Sequence, residues 1–152
     1  MTETADKTGG AAAARRVAGV IVSHGQVATE LLAAAEAIIG DIRHIAAVSI
    51  GWGDDVDAAS DEIERAMGRV SEGAGVLLLT DMFGGTPTNI SSMFLKDGEV
   101  EVVTGVNLPM VVKLASQAGG ETLQEMARRV RDQGREGIYL AGELLAGAKS
   151  KS

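Results

Sequence analysis

Residues 17–25 read Val-Ala-Gly-Val-Ile-Val-Ser-His-Gly, and this stretch decides the fold class. The first six residues are apolar and largely β-branched, a pattern typical of a strand that is buried on both faces. Strands of this kind occur in parallel sheets with helices packed on both sides. The stretch therefore predicts an α/β protein, and the polar residues Ser23 and His24 mark the carboxyl end of its first strand.

Short apolar runs alternate with segments of helical spacing through the rest of the chain. Further strands are predicted at residues 45–50, 76–79 and 100–104, and helices at residues 26–39, 57–70, 87–95, 108–117 and 121–133. Strands that alternate with helices imply right-handed crossovers. We therefore expect a three-layer α/β sandwich around a central, mostly parallel sheet of four strands. Residues 137–140 are expected to add a fifth strand.

Length and composition limit the function classes. The 152 residues, 45% of them hydrophobic, fit one compact domain. The net charge of −7 and the aromatic content of 3% argue against binding nucleic acid, which requires a positive surface or stacking side chains. No apolar run approaches the ~20 residues of a membrane-spanning helix, and the charge does not fit a polybasic membrane anchor. Cysteine is absent, which excludes disulfides and thiolate metal sites.

Three segments are expected along the chain. Residues 1–16 are rich in Thr, Ala and Gly and are predicted to form a disordered tail. Residues 17–145 are expected to form the folded domain, and residues 146–152 a C-terminal tail. We expect a cytoplasmic protein, because no targeting pattern is convincing.

Polar residues stand at the carboxyl ends of the first and third predicted strands, where ligand sites lie in α/β folds. His24 is a candidate nucleophile because a neutral imidazole reacts readily, although a histidine at this place can also merely cap the following helix. Asp81 can hold one ring nitrogen of His24 and leave the other free to react. Its alternative role is to cap the loop that follows it. The reactive pair requires the first and third strands to be neighbours.

The loop after Asp81 contains a candidate phosphate cradle made of Gly84, Gly85 and Thr86. Two glycines allow a close approach of the backbone, and the helix predicted next favours an anion at its N-terminus. An ordinary glycine turn is the alternative interpretation. His44 lacks such a context and is predicted to be a solvated surface residue. Two histidines without an acidic cluster do not favour a metal site, so we expect neither a metal nor a cofactor.

A nucleophilic histidine, an orienting aspartate and an anion cradle together indicate phosphoryl transfer through a phosphohistidine. Four blocks of sequence add to this interpretation: residues 21–25 (Ile-Val-Ser-His-Gly), 31–40, 79–89 (Leu-Thr-Asp-Met-Phe-Gly-Gly-Thr-Pro-Thr-Asn) and 104–110 (Thr-Gly-Val-Asn-Leu-Pro-Met). Their order and spacing resemble the mannose-type EIIA domain of the bacterial phosphoenolpyruvate-dependent sugar phosphotransferase system. The resemblance covers about residues 16–145.

The resemblance implies a homodimer in which a C-terminal antiparallel strand, here residues 137–140, is exchanged between subunits. It implies that His24 accepts a phosphoryl group from phospho-HPr on Nε2 and passes it to a histidine of an EIIB component. It further implies that Asp81 orients His24 and that residues 84–86 receive the phosphoryl oxygens. Such a phosphotransferase needs no cofactor and meets the membrane only through transporter subunits. Because the sequence ends near Ser152, we expect EIIB to be a separate chain.

Three alternatives remain open. The phosphotransfer subunit of dihydroxyacetone kinase also carries a histidine after its first strand, but its third-strand loop typically reads Asp-Leu-Gly-Ser-Ala, whereas residues 81–87 here read Asp-Met-Phe-Gly-Gly-Thr-Pro. A regulatory protein could use phosphorylation of His24 to change partner binding without onward transfer. A module that binds small anions without a covalent step would carry the same glycine loop.

Overall fold

A computed structural model describes residues 14–151 of the chain. The first thirteen residues of the predicted N-terminal tail therefore lie outside the described residues. The elements follow the order β1 (Ala18–His24), α1 (Val27–Ile39), β2 (Ile45–Ile50), α2 (Val56–Val70), β3 (Val76–Thr80), α3 (Gly85–Ser92), β4 (Val100–Thr104), α4 (Leu108–Ala115), α5 (Leu123–Glu136) and α6 (Ala141–Lys151). This alternation confirms the predicted α/β class.

The four strands form one parallel sheet in the order β2-β1-β3-β4. In the register of the sheet, His24 lies opposite Ile50 and Val22 lies opposite Thr80. β1 and β3 are therefore neighbours, as the reactive pair requires. The carboxyl ends of β1, β2 and β3 meet at one edge, and this edge carries the predicted site residues.

Hydrophobic residues on the two faces of the sheet build two separate cores. Successive side chains of a strand point to opposite faces. In β1, Ile21 packs into the core beneath α1, α4 and α5, with Leu114 and Met126. Val20 packs on the other face against α2 and α3, with Ile63. The predicted three-layer sandwich is confirmed.

The helix α3 begins two residues before and ends three residues before the predicted helix at 87–95. It begins at Gly85 because Gly84, at φ 86° and ψ 172°, acts as its N-cap. It ends at Ser92 because the amides of Met93 and Phe94 bond to carbonyl oxygens three residues earlier, which tightens the last turn. The shift brings the first turn of the helix directly against the glycine loop.

The C-terminal region differs from the expectation. Residues 137–140 do not form a strand in the part of the chain that the structure describes, because the amides of Gly137 and Ile138 bond back to carbonyl oxygens of α5. Ile138, Tyr139 and Leu140 are exposed. The helix α6 follows and extends through residues 146–151 of the predicted C-terminal tail.

The chain is attached to the domain before β1 begins. The Arg16 guanidinium donates to the Glu72 carboxylate at 2.6 Å, and the Arg16 amide donates to the same carboxylate at 2.8 Å. These hydrogen bonds lower the pKa of Glu72 below its ordinary value. Among the described helices, none has both the length and the apolar character needed to cross a membrane.

Candidate active site

His24 and Asp81 form a close pair at the carboxyl edge of the sheet. Asp81 Oδ2 lies 2.8 Å from His24 Nδ1 and also accepts a hydrogen bond from the His24 backbone amide at 2.9 Å. One carboxylate oxygen therefore holds both the ring and the backbone of the same residue. Because a carboxylate can only accept, Nδ1 carries the proton in the neutral imidazole and Nε2 is left as the lone-pair nitrogen.

His24 does not cap the helix that follows it. The hydroxyl of the fully buried Ser23 accepts the hydrogen bond from the Ala28 amide at 2.7 Å, close to the start of α1. The His24 side chain is 48% exposed, whereas the Asp81 side chain is only 16% exposed. The capping alternative is therefore wrong for His24, and its ring is open to an incoming protein.

The backbone of the glycine loop approaches the free nitrogen of His24. Gly84 and Gly85 have φ of 86° and 83°, a region that L-residues rarely adopt. A β-carbon built at Gly85 would lie 3.3 Å from His24 Cε1 and 3.4 Å from Nε2. Glycine thus keeps open the space beside Nε2 that a substituent on this nitrogen would need.

The same loop leads into the first turn of α3, whose first amides have no partner within the helix. No side chain caps this helix at Gly84. The amides of Gly85 and Thr86 are therefore suited to stabilise negative charge, and the helix dipole adds to this effect. The third residue of the turn, Pro87, has no amide hydrogen to offer.

Two buried threonines that the sequence reasoning missed fix the loop after β3. Thr88 Oγ1 lies 2.5 Å from the carbonyl oxygen of Met82 and 2.8 Å from Thr80 Oγ1. Thr80 and Thr88 are buried at the junction of β3 and α3. They connect the two ends of the segment that carries Asp81 and Gly84. Both lie in the block of residues 79–89, but a separation of eight residues does not predict a contact, so only the folded chain shows that they meet.

His44 lies far from this site and is buried, so its prediction as a solvated residue is wrong. Its side chain is 2% exposed, and Nε2 lies 3.1 Å from the Leu114 carbonyl oxygen. Burial lowers the pKa of His44, although the hydrogen bond to Leu114 opposes this change. Nδ1 has no hydrogen-bond partner among the described residues. The local sequence misled because the hydrogen-bond partner of His44, Leu114 in α4, lies 70 positions further along the chain.

The arrangement fits a nucleophilic imidazole next to a site for an anion. Nδ1 is held by a carboxylate, the His24 side chain is half exposed, and the backbone at Gly85 passes close to Nε2. Within residues 14–151, no group of three His, Asp or Glu side chains is placed to hold a metal ion. The side chains and amides present are those that a phosphoryl acceptor requires.

Comparison with known proteins agrees with this class of site. The family model EIIA-man, described as the PTS system fructose IIA component, matches residues 18–131. The chain belongs to this mannose-type EIIA family of the sugar phosphotransferase system. The resemblance found in the four sequence blocks is therefore confirmed, and the chain is an EIIA component of a phosphotransferase system.

Two relatives share 25–31% sequence identity with the chain. The chain is 31% identical over 124 residues to the PTS system mannose-specific EIIAB component of Escherichia coli (strain K12), which corresponds to 80% of this chain and 38% of that protein. It is 25% identical over 132 residues to the PTS system fructose-specific EIIA component of Bacillus subtilis (strain 168), covering 86% of this chain and 90% of that protein. The chain thus spans less than half of the EIIAB relative.

A solved structure shows the same fold. The phosphotransferase system component EIIA from Streptococcus agalactiae superimposes with a TM-score of 0.74 at 25% identity, covering 84% of this chain and 98% of that chain. The parallel sheet and its layers of helices are therefore shared with this component.

Proposed function

We propose that the chain is a phosphocarrier that takes a phosphoryl group from phospho-HPr on His24 and passes it to a histidine of an EIIB component. One observation carries this proposal. Asp81 holds Nδ1 at 2.8 Å, which leaves Nε2 as the free ring nitrogen, next to the Gly85 backbone. In this role the domain of residues 17–145 works in the cytoplasm, and the membrane is reached only through transporter subunits.

The transfer step is a displacement at phosphorus. The lone pair of His24 Nε2 forms a new N–P bond while the N–P bond to the donor histidine breaks, and the donor imidazole keeps the electron pair of that bond. The Nδ1 proton stays on His24, where the Asp81 carboxylate stabilises the positive charge that develops on the ring. The amides of residues 84–86 face the phosphoryl oxygens, and they cannot compete as nucleophiles. Onward transfer to EIIB repeats the step in the opposite sense.

The test is the intact mass of the protein after incubation with phosphoenolpyruvate, enzyme I and HPr. We expect one added phosphoryl group, which acid treatment removes. His24→Ala should abolish it, and His44→Gln is the matched control because His44 is the only other histidine in the chain and is buried. Labelling of His24→Ala at the level of the unmodified protein would refute the assignment.

A second incubation with EIIB separates a carrier from a switch. A carrier returns to its unphosphorylated mass as EIIB gains the phosphoryl group. A protein that keeps the group in the presence of active EIIB and only changes its binding partners would be a regulator, and onward transfer would then be wrong.

We further propose that two copies form a homodimer through the C-terminal segment. Among residues 14–151, no strand pairs with the outer edge of β4, and a cleft of about 580 Å³ lies between β4 and α5. Ile138, which lines this cleft, and the adjacent Tyr139 and Leu140 are exposed. An exchanged strand would pair this edge and cover these side chains. Sedimentation should give a dimer, and deletion of residues 137–152 should give a monomer. A full-length monomer at micromolar concentration would contradict the exchange.

A further inference from the structure

The surface near His24 contains a large aromatic side chain, Trp52, that is not packed against the rest of the domain. Trp52 is fully exposed, in a Gly-Trp-Gly turn that directly follows β2. The turn is held in place, because the Gly51 amide donates to the Asp54 carboxylate and the Asp54 amide donates to the Gly51 carbonyl oxygen. A large indole is thus presented to solvent on an ordered turn.

Trp52 stands beside the reactive histidine. In the sheet, Ile50 is the register partner of His24, and the Gly25 amide donates to the Ile50 carbonyl oxygen at 3.2 Å. Trp52 follows Ile50 by two residues, so its turn flanks His24 on the β2 side. The exposed Phe83, in the loop after β3, flanks His24 on the other side.

Charge around His24 has one sign. The segments at the carboxyl edge of the sheet are residues 24–30, 50–57, 81–89 and 105–110, and they contain five carboxylates and no Lys or Arg. Three of these carboxylates, Asp54, Asp55 and Asp57, follow Trp52 directly. Three arginines, Arg128, Arg131 and Arg135, line the cleft between β4 and α5, which Phe83 also lines. In the sheet, β3 lies between β4 and β1.

This charge has a consequence for the reaction. A phosphoryl group on a donor histidine is an anion, so the acidic edge repels it unless the donor brings cations of its own. Enzymes that transfer phosphoryl groups neutralise the developing charge with metal ions, Lys or Arg. Within these four segments the chain offers backbone amides but no cationic side chain, so a basic surface on the partner would complement them.

From these observations we propose that residues 51–57, which we call the Trp52 loop, are the docking surface for the phosphoryl donor protein. Trp52 is the apolar anchor, and the carboxylates behind it attract a basic surface that surrounds the phosphohistidine of the donor. This docking role rests on the proposed function, since it deepens the first of the two transfer steps. Exposed tryptophans at the centre of an interface commonly provide a large share of the binding energy.

The experiment compares variants by the rate of phosphorylation at varied concentrations of phospho-HPr. Trp52→Ala should lower kcat/KM at least about tenfold through a raised KM, with kcat retained, because the indole contributes binding and touches no reacting atom. Leu95→Ala is the matched control, since Leu95 is also exposed but lies beyond the far end of α3. Both variants should unfold at the same temperature as the unmodified protein.

The acidic part of the loop is tested with Asp57→Asn, because Asp54 and Asp55 also make hydrogen bonds within the fold. We expect kcat/KM to fall about two- to fivefold at low salt, and the difference to disappear at high salt, as for charges at the rim of an interface. Glu64→Gln is the control, since Glu64 lies about 10 Å further along α2.

The outcomes separate the two proposals. No phosphorylation of the unmodified protein by active HPr would overturn the proposed function and the docking role together. Normal phosphorylation of the unmodified protein with an unchanged KM for Trp52→Ala would overturn the docking role alone. A Trp52→Ala variant that is impaired only in transfer to EIIB would also overturn it, because the loop would then serve the acceptor.

Discussion

The replacement of Asp81 by asparagine tests the central contact of the site. Oδ2 accepts two hydrogen bonds from His24, at 2.8 Å from Nδ1 and at 2.9 Å from the backbone amide. A hydrogen bond to a charged group contributes about 1.5–3 kcal/mol, against about 0.5–1.5 kcal/mol for a neutral pair. Asparagine keeps an oxygen that can accept but loses the charge, so the transition state loses about 1–1.5 kcal/mol of stabilisation. This difference corresponds to a roughly tenfold slower phosphoryl transfer.

Replacement of Asp81 by alanine should slow phosphoryl transfer more than replacement by asparagine. Asp81→Ala loses the whole interaction, about 1.5–3 kcal/mol, which corresponds to a rate roughly 10- to 100-fold below that of the unmodified protein. It also frees the imidazole to place its proton on Nε2, where the ring cannot attack. The unmodified protein should therefore be the fastest, followed by Asp81→Asn and then by Asp81→Ala. Asp97→Asn is the control, because Asp97 is an exposed carboxylate in the turn before β4.

The assay is a rapid-quench measurement of transfer from phospho-HPr at saturating donor, with ¹⁵N chemical shifts of His24 to report the tautomer. Rates for both variants within twofold of the unmodified protein would refute the orienting role of Asp81. A proton that resides on Nε2 in the unmodified protein would refute it independently.

Three further predictions concern other parts of the molecule. Gly85→Ala should reduce the rate of phosphorylation more than Gly84→Ala. Both glycines have positive φ, but only a β-carbon at Gly85 contacts the His24 ring. Equal losses of rate in the two variants would contradict steric blocking at Nε2. Thr88→Val should lower the free energy of unfolding by about 1–3 kcal/mol and slow phosphorylation, whereas Thr88→Ser should restore both. Urea unfolding and the transfer rate of each variant are the measurements. A normal rate in the valine variant would show that the threonine does not help to hold Asp81. Burial lowers the pKa of His44, so the unfolded chain binds a proton more readily than the folded chain, and the free energy of unfolding should fall as the pH drops below about 6.5. Urea unfolding at about pH 7.5 and 5.5 should show this fall. If His44→Gln leaves the dependence on pH unchanged, other groups cause it.

The layers and the sheet could be predicted because their signals are local. A short, uninterrupted apolar run such as residues 17–22 is typical of a strand that is covered on both faces of the sheet. The order of the strands then places Asp81 beside His24, which the two strand ends already indicated. The position of the glycine loop could be predicted for the same reason, since the pair stands between the third predicted strand and the next predicted helix.

The remaining features depend on contacts between distant parts of the chain. The burial of His44 requires Leu114, and the pairing of Thr80 with Thr88 requires the turn between β3 and α3. Residues 137–140 have the composition of a strand, but a strand forms only where an edge is available to pair with it. Among the described residues they pair with no edge, because their first amides bond back to α5, so the pattern alone could not decide their conformation.

The shared oxygen of Asp81 constrains the order in which partners can act. Because Oδ2 holds both the amide and the ring of His24, a turn of the imidazole would break the contact to Nδ1, and Nε2 is the one ring nitrogen left for both transfer steps. A donor and an acceptor must therefore reach the same nitrogen in succession. Steady-state kinetics with both proteins should show a double-displacement pattern, with parallel lines in double-reciprocal plots. Each unphosphorylated partner then acts as a competitive inhibitor of the other, so the flow of phosphoryl groups through the chain depends on the ratio of its two partners as well as on their amounts.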